Sequence, residues 1–433
     1  MSTQQLSRSV SIIGVGSTKF GSPFETEELK DLSFQEYGAW AVMDALEDAG
    51  VNPRDVDHIC VGSVSSPTNN ALNISPQFGF LEWCGMKGKS ANYQCAGCAS
   101  GLMVFDQAVD MVAGGRCDIV IAVDLEINQT ITHPNRPSHI RYPFSEYANL
   151  YGFKPLLGVN GTDTSYQRWL GAQFVAQDQC GRHYMKDAQI SQDDLEDGVI
   201  GACVTCREHG ALGPDCYLKD SFQDVAASYG YDSVTAYMKS PMNPYFSDMN
   251  RVNYTGVMCE GAAAVIVCAS DIAHKYTDKA VEIVSLVESN YSVGTPNNEH
   301  LMNQDLAEAV YAACEYGPED IEYLATTNMD QYDMIDSAEA MGYLPKGEGW
   351  KYFRDGRTRF DQDRPINTDG GTQGLGHGYA ASALHNYKEL VLQMRGEAEG
   401  RQITPAPKVA MMRGQGATHA ATACIMRMLE SEE

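Results

Sequence analysis

The chain contains 433 residues with a formal net charge of −26, and its composition, 43% hydrophobic and 20% charged, is that of an ordinary globular protein. The length predicts two or three domain-sized units, and the acidic balance argues against nucleic acid and anionic membranes as partners. No apolar run is long enough to predict a transmembrane helix. The polar N-terminus without a signal peptide, and thirteen cysteines of which many lie in apolar runs, favour a cytoplasmic protein with reduced thiols.

The first 64 residues predict a strand, a helix and a second strand. The run VSIIGVGSTK (10–19) is typical of a buried strand that ends in a glycine turn. The segment LSFQEYGAWAVMDALEDAGV (32–51) has apolar residues at helical spacing and ends near Gly50, a suitable helix C-cap. The segment NPRDVDHICVGSV (52–64) then gives a turn followed by a strand.

The same order returns in the second half of the chain. There KAVEIVSLV (279–287) predicts a strand, NQDLAEAVYAACEYG (303–317) a helix, and PEDIEYLATTN (318–328) a turn and a strand. Strands that alternate with helices imply parallel sheets covered by helices. We therefore predict an α/β protein of two duplicated halves, 1–272 and 273–433. The first half carries an inserted loop domain over about 128–250, with one helix near 165–188.

Two further segments place chemically useful residues at helix starts. In QCAGCASGL (94–102) Cys98 precedes a helix, where the helix dipole stabilises a thiolate, and the small residues up to Gly101 allow close approach of a second segment. In GLGHGYAAS (374–382) His377 occupies the corresponding place in the other half. A histidine that takes the proton of a cysteine thiol is the usual arrangement for acyl-cysteine chemistry.

Other interpretations of these cysteines stay open at this point. Cys98 is equally consistent with a small buried hydrophobic residue. The pairs Cys95/Cys98 and Cys203/Cys206 together supply the ligand number of a structural zinc site, although neither has the glycine-rich flanks of a zinc ribbon. A redox CxxC pair is disfavoured because no Pro or Trp flanks the motif.

Four segments in this order resemble the thiolase superfamily, specifically its sterol-carrier-protein-type (lipid-transfer) branch: SIIGVGSTKFG, CASGL, VMCEGAAAVIV and NTDGGTQGLGHGYAAS, followed by RGQGA. The resemblance implies a five-layered αβαβα thiolase fold and a homodimer. It implies acyl transfer to coenzyme A, a substrate, through an acyl-cysteine on Cys98, with His377 as the base and no permanently bound cofactor or metal. A backbone amide of the turn near Gly414 is expected to bind the oxyanion.

The chain departs from the family where thiolases carry a second, acid/base cysteine. It reads VAMMRGQG in one of the two usual places and ATTNMDQYD in the other, so that Asn328 stands where a cysteine is expected. We expect Asn328 to stabilise the enolate, or else only to anchor the strand end. Relatives without this cysteine include thiolases for unusual 3-ketoacyl-CoAs and steroid side-chain aldolases. Several of them work with a small zinc-ribbon/OB-fold accessory subunit, which predicts a heterotetramer.

The chain as a whole resembles the catalytic subunit of (S)-2-benzoylsuccinyl-CoA thiolases, which form benzoyl-CoA and succinyl-CoA, and the tyrosine-rich insertion would suit an aromatic acyl group. An archaeal-type acetoacetyl-CoA thiolase, an accessory-dependent aldolase and a non-catalytic subunit remain the alternatives. Because CoA is polyanionic, its phosphates require local cations on this acidic chain. Candidates are Arg354, Arg357 and Arg359, with Arg136 and Arg141 in the insertion, although each also fits a solvated loop charge.

Overall fold

The computed structural model describes residues 6–64, 76–127, 178–245, 247–290, 298–416 and 420–429. Its centre is a nine-stranded mixed sheet. The strands are β1 (Val10–Ser17), β2 (His58–Gly62), β3 (Ser90–Gln94), β4 (Ile119–Glu126), β5 (Gly261–Ala269), β6 (Val281–Asn290), β7 (Tyr323–Thr326), β8 (Val409–Gln415) and β9 (Ala420–Met428).

The helices alternate with these strands in both halves. They are α1 (Phe34–Ala49), α2 (Pro76–Trp83), α3 (Ser100–Ala113), α4 (Gln192–Leu212), α5 (Phe222–Ser228), α6 (Val234–Met238), α7 (Ser270–Ala273), α8 (Asn298–Ala312), α9 (Gln331–Ala340), α10 (Gly349–Arg354), α11 (Gly371–Gly374) and α12 (Tyr379–Arg395). Residues 178–188 are also helical.

The strand order repeats the duplication that the sequence predicts. The full order is β3-β2-β4-β5-β1-β6-β9-β8-β7, so each half places its first strand at the centre and runs outward through equivalent strands. The two halves meet where β1 and β6 pair antiparallel, with Val10 opposite Ile283. Short 3-10 turns at Pro53–Asp55 and Pro318–Asp320 precede the equivalent strands β2 and β7. A division at 272/273 lies within α7, just before β6, and we retain it as a proposal.

The helices form three layers around the two sheet halves. Helix α1 covers β1, β4 and β5 on the outside, and α8 covers β6 and β9 on the other outside. Helices α3 and α12 contact each other and lie between the halves, with α12 against β4 and β5 of one half and β7 and β8 of the other. The predicted five-layered αβαβα fold is thereby confirmed.

A glycine sets how closely the two central helices approach. A Cβ on Gly101 would lie 2.4 Å from the carbonyl oxygen of Ala380, so only glycine permits this crossing. Farther along, the rings of Phe105 and Tyr387 stack at 4.0 Å between centroids. The close crossing brings the N-termini of α3 and α12 together.

The insertion contains more helix than the sequence interpretation allowed. Residues 192–212, assigned to a loop and a helix end, form α4, which is preceded by a capping box between Ser191 and Asp194. The reason for the error is the three glycines inside α4, which lower helix propensity. All three are packing sites: a Cβ on Gly198 would lie 2.8 Å from the Cβ of Trp350, one on Gly201 2.3 Å from the carbonyl oxygen of Phe353, and one on Gly210 2.4 Å from the Cα of Gly374. The earlier part of the insertion, 128–177, lies outside the described residues.

Candidate active site

Cys98 and His377 occupy equivalent places in the two halves. Each lies two residues before a central helix, Cys98 before α3 and His377 before α12. Both line one narrow cavity of about 20 Å³ between the two helix N-termini. The other lining residues are Thr327, Asn328, Met329, Gly371, Thr372, Leu375, Tyr379, Ser382, Ala383, Asn386 and Gln415.

A tight turn presents Cys98 to this cavity. Gly97 has φ 59°, a left-handed conformation that glycine adopts without strain. The Ser100 hydroxyl donates to the carbonyl oxygen of Gly97 (2.7 Å) and accepts from the amide of Ala96 (2.8 Å), so it closes the turn at the start of α3. Cys98 is 7% exposed, whereas Cys95 is exposed at the surface. The turn therefore distinguishes the two cysteines of the motif, one directed inward and one outward.

His377 is held by its backbone and surrounded by protein. Its amide donates to the carbonyl oxygen of Val257 (2.6 Å), and its carbonyl oxygen accepts from the amide of Cys259 (3.2 Å). The residue is 3% exposed, and burial lowers the pKa of its imidazole to about 4. His377 is therefore a neutral imidazole at pH 7, the form that can accept a thiol proton.

Asn328 follows β7 and holds the glycine-rich loop against the cavity. Its side-chain oxygen accepts from the amide of Thr372 (3.1 Å) and from the side-chain amide of Asn367 (3.3 Å). Its Nδ2 donates to Oε1 of Gln331 (3.2 Å). These bonds fix the amide with its oxygen toward the loop, so that Nδ2 is the end that can donate elsewhere. The helix α9 is capped by Asp330, whose side chain accepts from the amide of Asp333 (3.0 Å).

Gly414, the residue near which an oxyanion-binding amide is predicted, lies inside strand β8 and not in the turn that follows it. Gly414 lies within β8 against α3, since a Cβ there would lie 2.4 Å from Leu102, and it does not line the cavity. Gly416 is the glycine beside the nucleophile: a Cβ on it would lie 2.5 Å from the amide nitrogen of Ala99 and 3.0 Å from the carbonyl carbon of Cys98. An oxyanion role for Gly414 itself remains a prediction, and its neighbours Gln415 and Gly416 border the site.

A fully buried arginine supports Gln415. Arg413 pairs with both oxygens of Asp333 at 2.7 and 3.0 Å and donates to Oδ1 of Asn303 at 2.6 and 2.9 Å. Its guanidinium also donates to Oε1 of Gln415. Because guanidinium groups only donate, Gln415 must turn its carbonyl oxygen toward Arg413. One charged cluster therefore links α8, α9 and β8 behind the cavity.

The arginines expected to bind CoA lie elsewhere and carry partners. Arg354 pairs with Asp355 at 2.7 Å, Arg357 with Asp363, and Arg359 with Glu208. None of the three lines the cavity. Each charge is therefore at least partly compensated by a carboxylate, and a CoA-binding role stays a prediction. Arg136 and Arg141 lie outside the described residues.

Several cavity residues escaped the sequence interpretation. Thr372 and Gln415 contact the cavity from the glycine-rich loop and from β8, and Tyr379, Ser382 and Asn386 contact it from α12. The last two could have been predicted from the sequence, because Ser382 and Asn386 are four residues apart and lie on one face of the helix that follows His377. The positions of the others in the cavity depend on contacts between segments distant in the sequence.

The second CxxC pair, Cys203 and Cys206, belongs to the hydrophobic core. Cys203 and Cys206 are buried inside α4 as part of a hydrophobic cluster. Across the part of the chain that the structure describes, no group of three or more His, Cys, Asp or Glu residues is arranged to hold a metal ion. Within those residues, likewise, no helix combines the length and apolar character needed to cross a bilayer.

Comparison with family models matches both halves. The N-terminal thiolase domain matches residues 10–148, and the model described as thiolase C-terminal domain-like matches residues 297–427. The first match includes Cys98 and the second includes both Asn328 and His377.

Curated relatives match nearly the full chain. The chain is 27% identical to the acetyl-CoA acetyltransferase of Methanothermobacter thermautotrophicus, over 95% of this chain and 97% of the relative. It is 25% identical to the benzoylsuccinyl-CoA thiolase subunit BbsB of Thauera aromatica, over 94% of each. It is 25% identical to sterol carrier protein 2 of Rattus norvegicus, over 97% of this chain and 72% of the relative.

Solved structures show the same fold. The Ltp2-ChsH2(DUF35) aldolase superposes with a TM-score of 0.72 at 17% identity, over 99% of this chain and 100% of that chain. Human mitochondrial 3-ketoacyl-CoA thiolase superposes with a TM-score of 0.67 at 16% identity, over 98% of this chain and 100% of that chain. With both family models matched and the duplicated fold in place, the chain belongs to the thiolase superfamily and is an acyltransferase of the thiolase type.

Proposed function

We propose that the protein cleaves a 3-ketoacyl-CoA with coenzyme A through an acyl-cysteine on Cys98. The observation that carries this proposal is the single cavity that Cys98, His377 and Asn328 share at the N-termini of α3 and α12. A cysteine and a neutral histidine at such a place supply a nucleophile and its base. CoA acts as a substrate, and no other cofactor takes part in the proposed cycle.

The first half-reaction forms the acyl-enzyme. His377 takes the thiol proton of Cys98, and the sulfur attacks the ketone carbon of the substrate. The resulting oxyanion needs donors in a water-poor site, where each hydrogen bond counts for more than in water. We assign the backbone amide of Cys98 and the side-chain Nε2 of Gln415 as these donors, because Gln415 lines the cavity while its Oε1 accepts from Arg413. Cleavage of the carbon–carbon bond then leaves the acyl group on sulfur and releases the enolate of a CoA ester.

The enolate is quenched without a second cysteine. We assign Asn328 Nδ2 as the donor to the enolate oxygen, because its other bonds hold the amide oxygen toward the loop. The proton that His377 took from Cys98 returns to the α-carbon, so the first half-reaction balances. CoA then loses its thiol proton to His377 and attacks the acyl-cysteine, which regenerates the Cys98 thiol.

As the first substrate to test we propose 2-benzoylsuccinyl-CoA, which would be split into benzoyl-CoA and succinyl-CoA. The acyl group carried by Cys98 would then be benzoyl. The likeness to BbsB along 94% of both chains supports it. The likeness to acetyl-CoA acetyltransferases of archaea favours acetoacetyl-CoA as the second candidate. The cavity suits an uncharged acyl group, since none of its described lining residues carries a full charge at pH 7.

We also propose a homodimeric core and a DUF35-type accessory subunit, together a heterotetramer. The aldolase Ltp2-ChsH2(DUF35), which shares this fold, supports the accessory subunit because its own name includes such a component. We infer a cytoplasmic location from the reduced cysteines of the sequence.

The function is tested by CoA-dependent cleavage of both candidate substrates, alone and with any co-purified partner. Thiolysis by the wild-type protein, lost in Cys98→Ser and retained in Cys95→Ser, is the expected result. Thiolysis that survives in Cys98→Ser contradicts the acyl-cysteine route. Retro-aldol cleavage without CoA identifies an aldolase instead.

A further inference from the structure

The segment around His377 is fixed on both sides by hydrogen bonds. On one side the amide of His377 donates to the carbonyl oxygen of Val257 at 2.6 Å. On the other, the Ser382 hydroxyl accepts from the amide of Gly378 at 2.7 Å and donates to the carbonyl oxygen of Gly376 at 3.0 Å. The backbone from 376 to 378 therefore has little freedom. The turn of the chain into helix α12 must then be made at the next residue.

That residue is Tyr379, and it does so in a strained conformation. Its φ is 46°, in the left-handed region that bulky residues rarely adopt. A glycine would take this conformation without strain, yet the chain places a large aromatic residue there. Such outliers persist only where the surroundings enforce them, and they concentrate at functional sites.

The Tyr379 ring lies against the imidazole of His377. The two ring centroids are 5.7 Å apart with planes at 61°, an edge-to-face contact. Tyr379 lines the same cavity as Cys98 and is half-buried, whereas His377 beneath it is buried. The ring therefore packs against the imidazole and shares the wall of the cavity with it.

We propose that Tyr379 is a positioning residue that holds the His377 imidazole in the orientation required to take the Cys98 proton. The inference deepens the proposed function, since it rests on His377 acting as the base. We assign the role to the aromatic ring, because the ring makes the contact with the imidazole and Tyr379→Phe retains it. The backbone strain at Tyr379 lowers the stability of the folded protein, but it brings the ring onto the imidazole and so supports the reactivity of Cys98.

The test compares Tyr379→Gly, Tyr379→Leu and Tyr379→Phe with the wild type. Two rates are measured at pH 7: alkylation of Cys98 by iodoacetamide, resolved from Cys95 by peptide mapping, and acylation of Cys98 by acetyl-CoA. Because an approximately 1 Å misplacement of a catalytic group costs up to about 100-fold, Tyr379→Gly should slow both rates by about 10-fold or more. The KM for acetyl-CoA should change by less than about twofold. Tm should change little, because relief of the strained backbone offsets the lost ring contact and the greater entropy of the unfolded chain. Tyr379→Phe should match the wild type, and Tyr379→Leu should be slow.

Wild-type rates in Tyr379→Gly or Tyr379→Leu overturn the inference, and so does a Tyr379→Phe variant as slow as Tyr379→Gly. A faster alkylation in Tyr379→Gly also overturns it, since the ring would then only limit access. If Tyr379→Gly does not fold, Tyr379→Leu and Tyr379→Phe decide between the same outcomes. The alkylation rate separates this inference from the proposed function. A wild type that no acyl-CoA acylates, but whose alkylation follows the expected pattern, contradicts the thiolase reaction and supports the role of Tyr379.

Discussion

Gly416 offers a direct way to displace the nucleophile without touching it. A Cβ at this position would lie 2.5 Å from the amide nitrogen of Ala99 and 2.8 Å from its Cβ, whereas ordinary contact begins at 3.4 Å. The obstacle is backbone and cannot rotate away, so Gly416→Ala must separate β8 from the turn before α3 by roughly 0.9 Å. Such overpacking costs about 1–3 kcal/mol of stability. A displacement of about 1 Å at a reacting group lowers the rate by up to about 100-fold.

The assay is single-turnover acylation of Cys98 at 25 °C, with urea unfolding measured on the same samples. Gly416→Ala should remain folded and acylate about 10- to 100-fold more slowly than the wild type. Gly400→Ala is the matched control, because nothing lies within 4 Å of a Cβ there, and it should acylate normally. A folded Gly416→Ala protein that acylates within about twofold of the wild type would refute the placement of Gly416 beside the nucleophile.

Three further predictions concern the groups around the cavity. Arg413→Met leaves the Asp333 carboxylate buried without its cation, so the free energy of urea unfolding should fall by about 3–5 kcal/mol. The control Arg354→Met, in an exposed ion pair, should lower it by less than about 1 kcal/mol. Equal losses in the two variants contradict the buried cluster. Burial lowers the pKa of His377 to about 4, so kcat/KM should stay near its pH 7 value at pH 5.5. A histidine of ordinary pKa would instead fall from about 76% neutral at pH 7 to about 9% neutral at pH 5.5. A loss of about eightfold in kcat/KM at pH 5.5 therefore contradicts the lowered pKa. Asn328→Ala should slow carbon–carbon cleavage but leave acylation from a simple acyl-CoA intact, and equal effects on both steps contradict a role at the enolate.

The sequence pattern was sufficient for the fold because each half is locally consistent. Apolar runs of strand length, helices ending at glycine and the repeated turn before β2 and β7 predicted the duplication before any contact was known. Cys98 and His377 were predictable for the same reason, since each lies at the start of a long amphipathic helix. The structure places both starts in one cavity.

What escaped prediction depends on contacts between distant segments. Helix α4 looked like a loop because its glycines lower helix propensity, and only the packing of Gly198, Gly201 and Gly210 on neighbouring segments explains them. Of the two glycines, Gly416 and not Gly414 approaches the nucleophile, because Gly414 packs on Leu102 inside α3 whereas Gly416, just past the end of β8, packs on the turn before α3. The strained φ of Tyr379 depends on hydrogen bonds between His377 and the distant residues Val257 and Cys259 as well as on the local ones from Ser382, so the local sequence alone could not indicate it.

The most direct test of the proposed mechanism is the site of acylation. The protein is incubated with a 3-ketoacyl-CoA or acyl-CoA without free CoA, quenched in acid, digested and analysed by mass spectrometry. The account predicts one acyl group, on Cys98, that free CoA removes. An acyl group on Cys95, or cleavage of the substrate with no acylated peptide at any time, would contradict it.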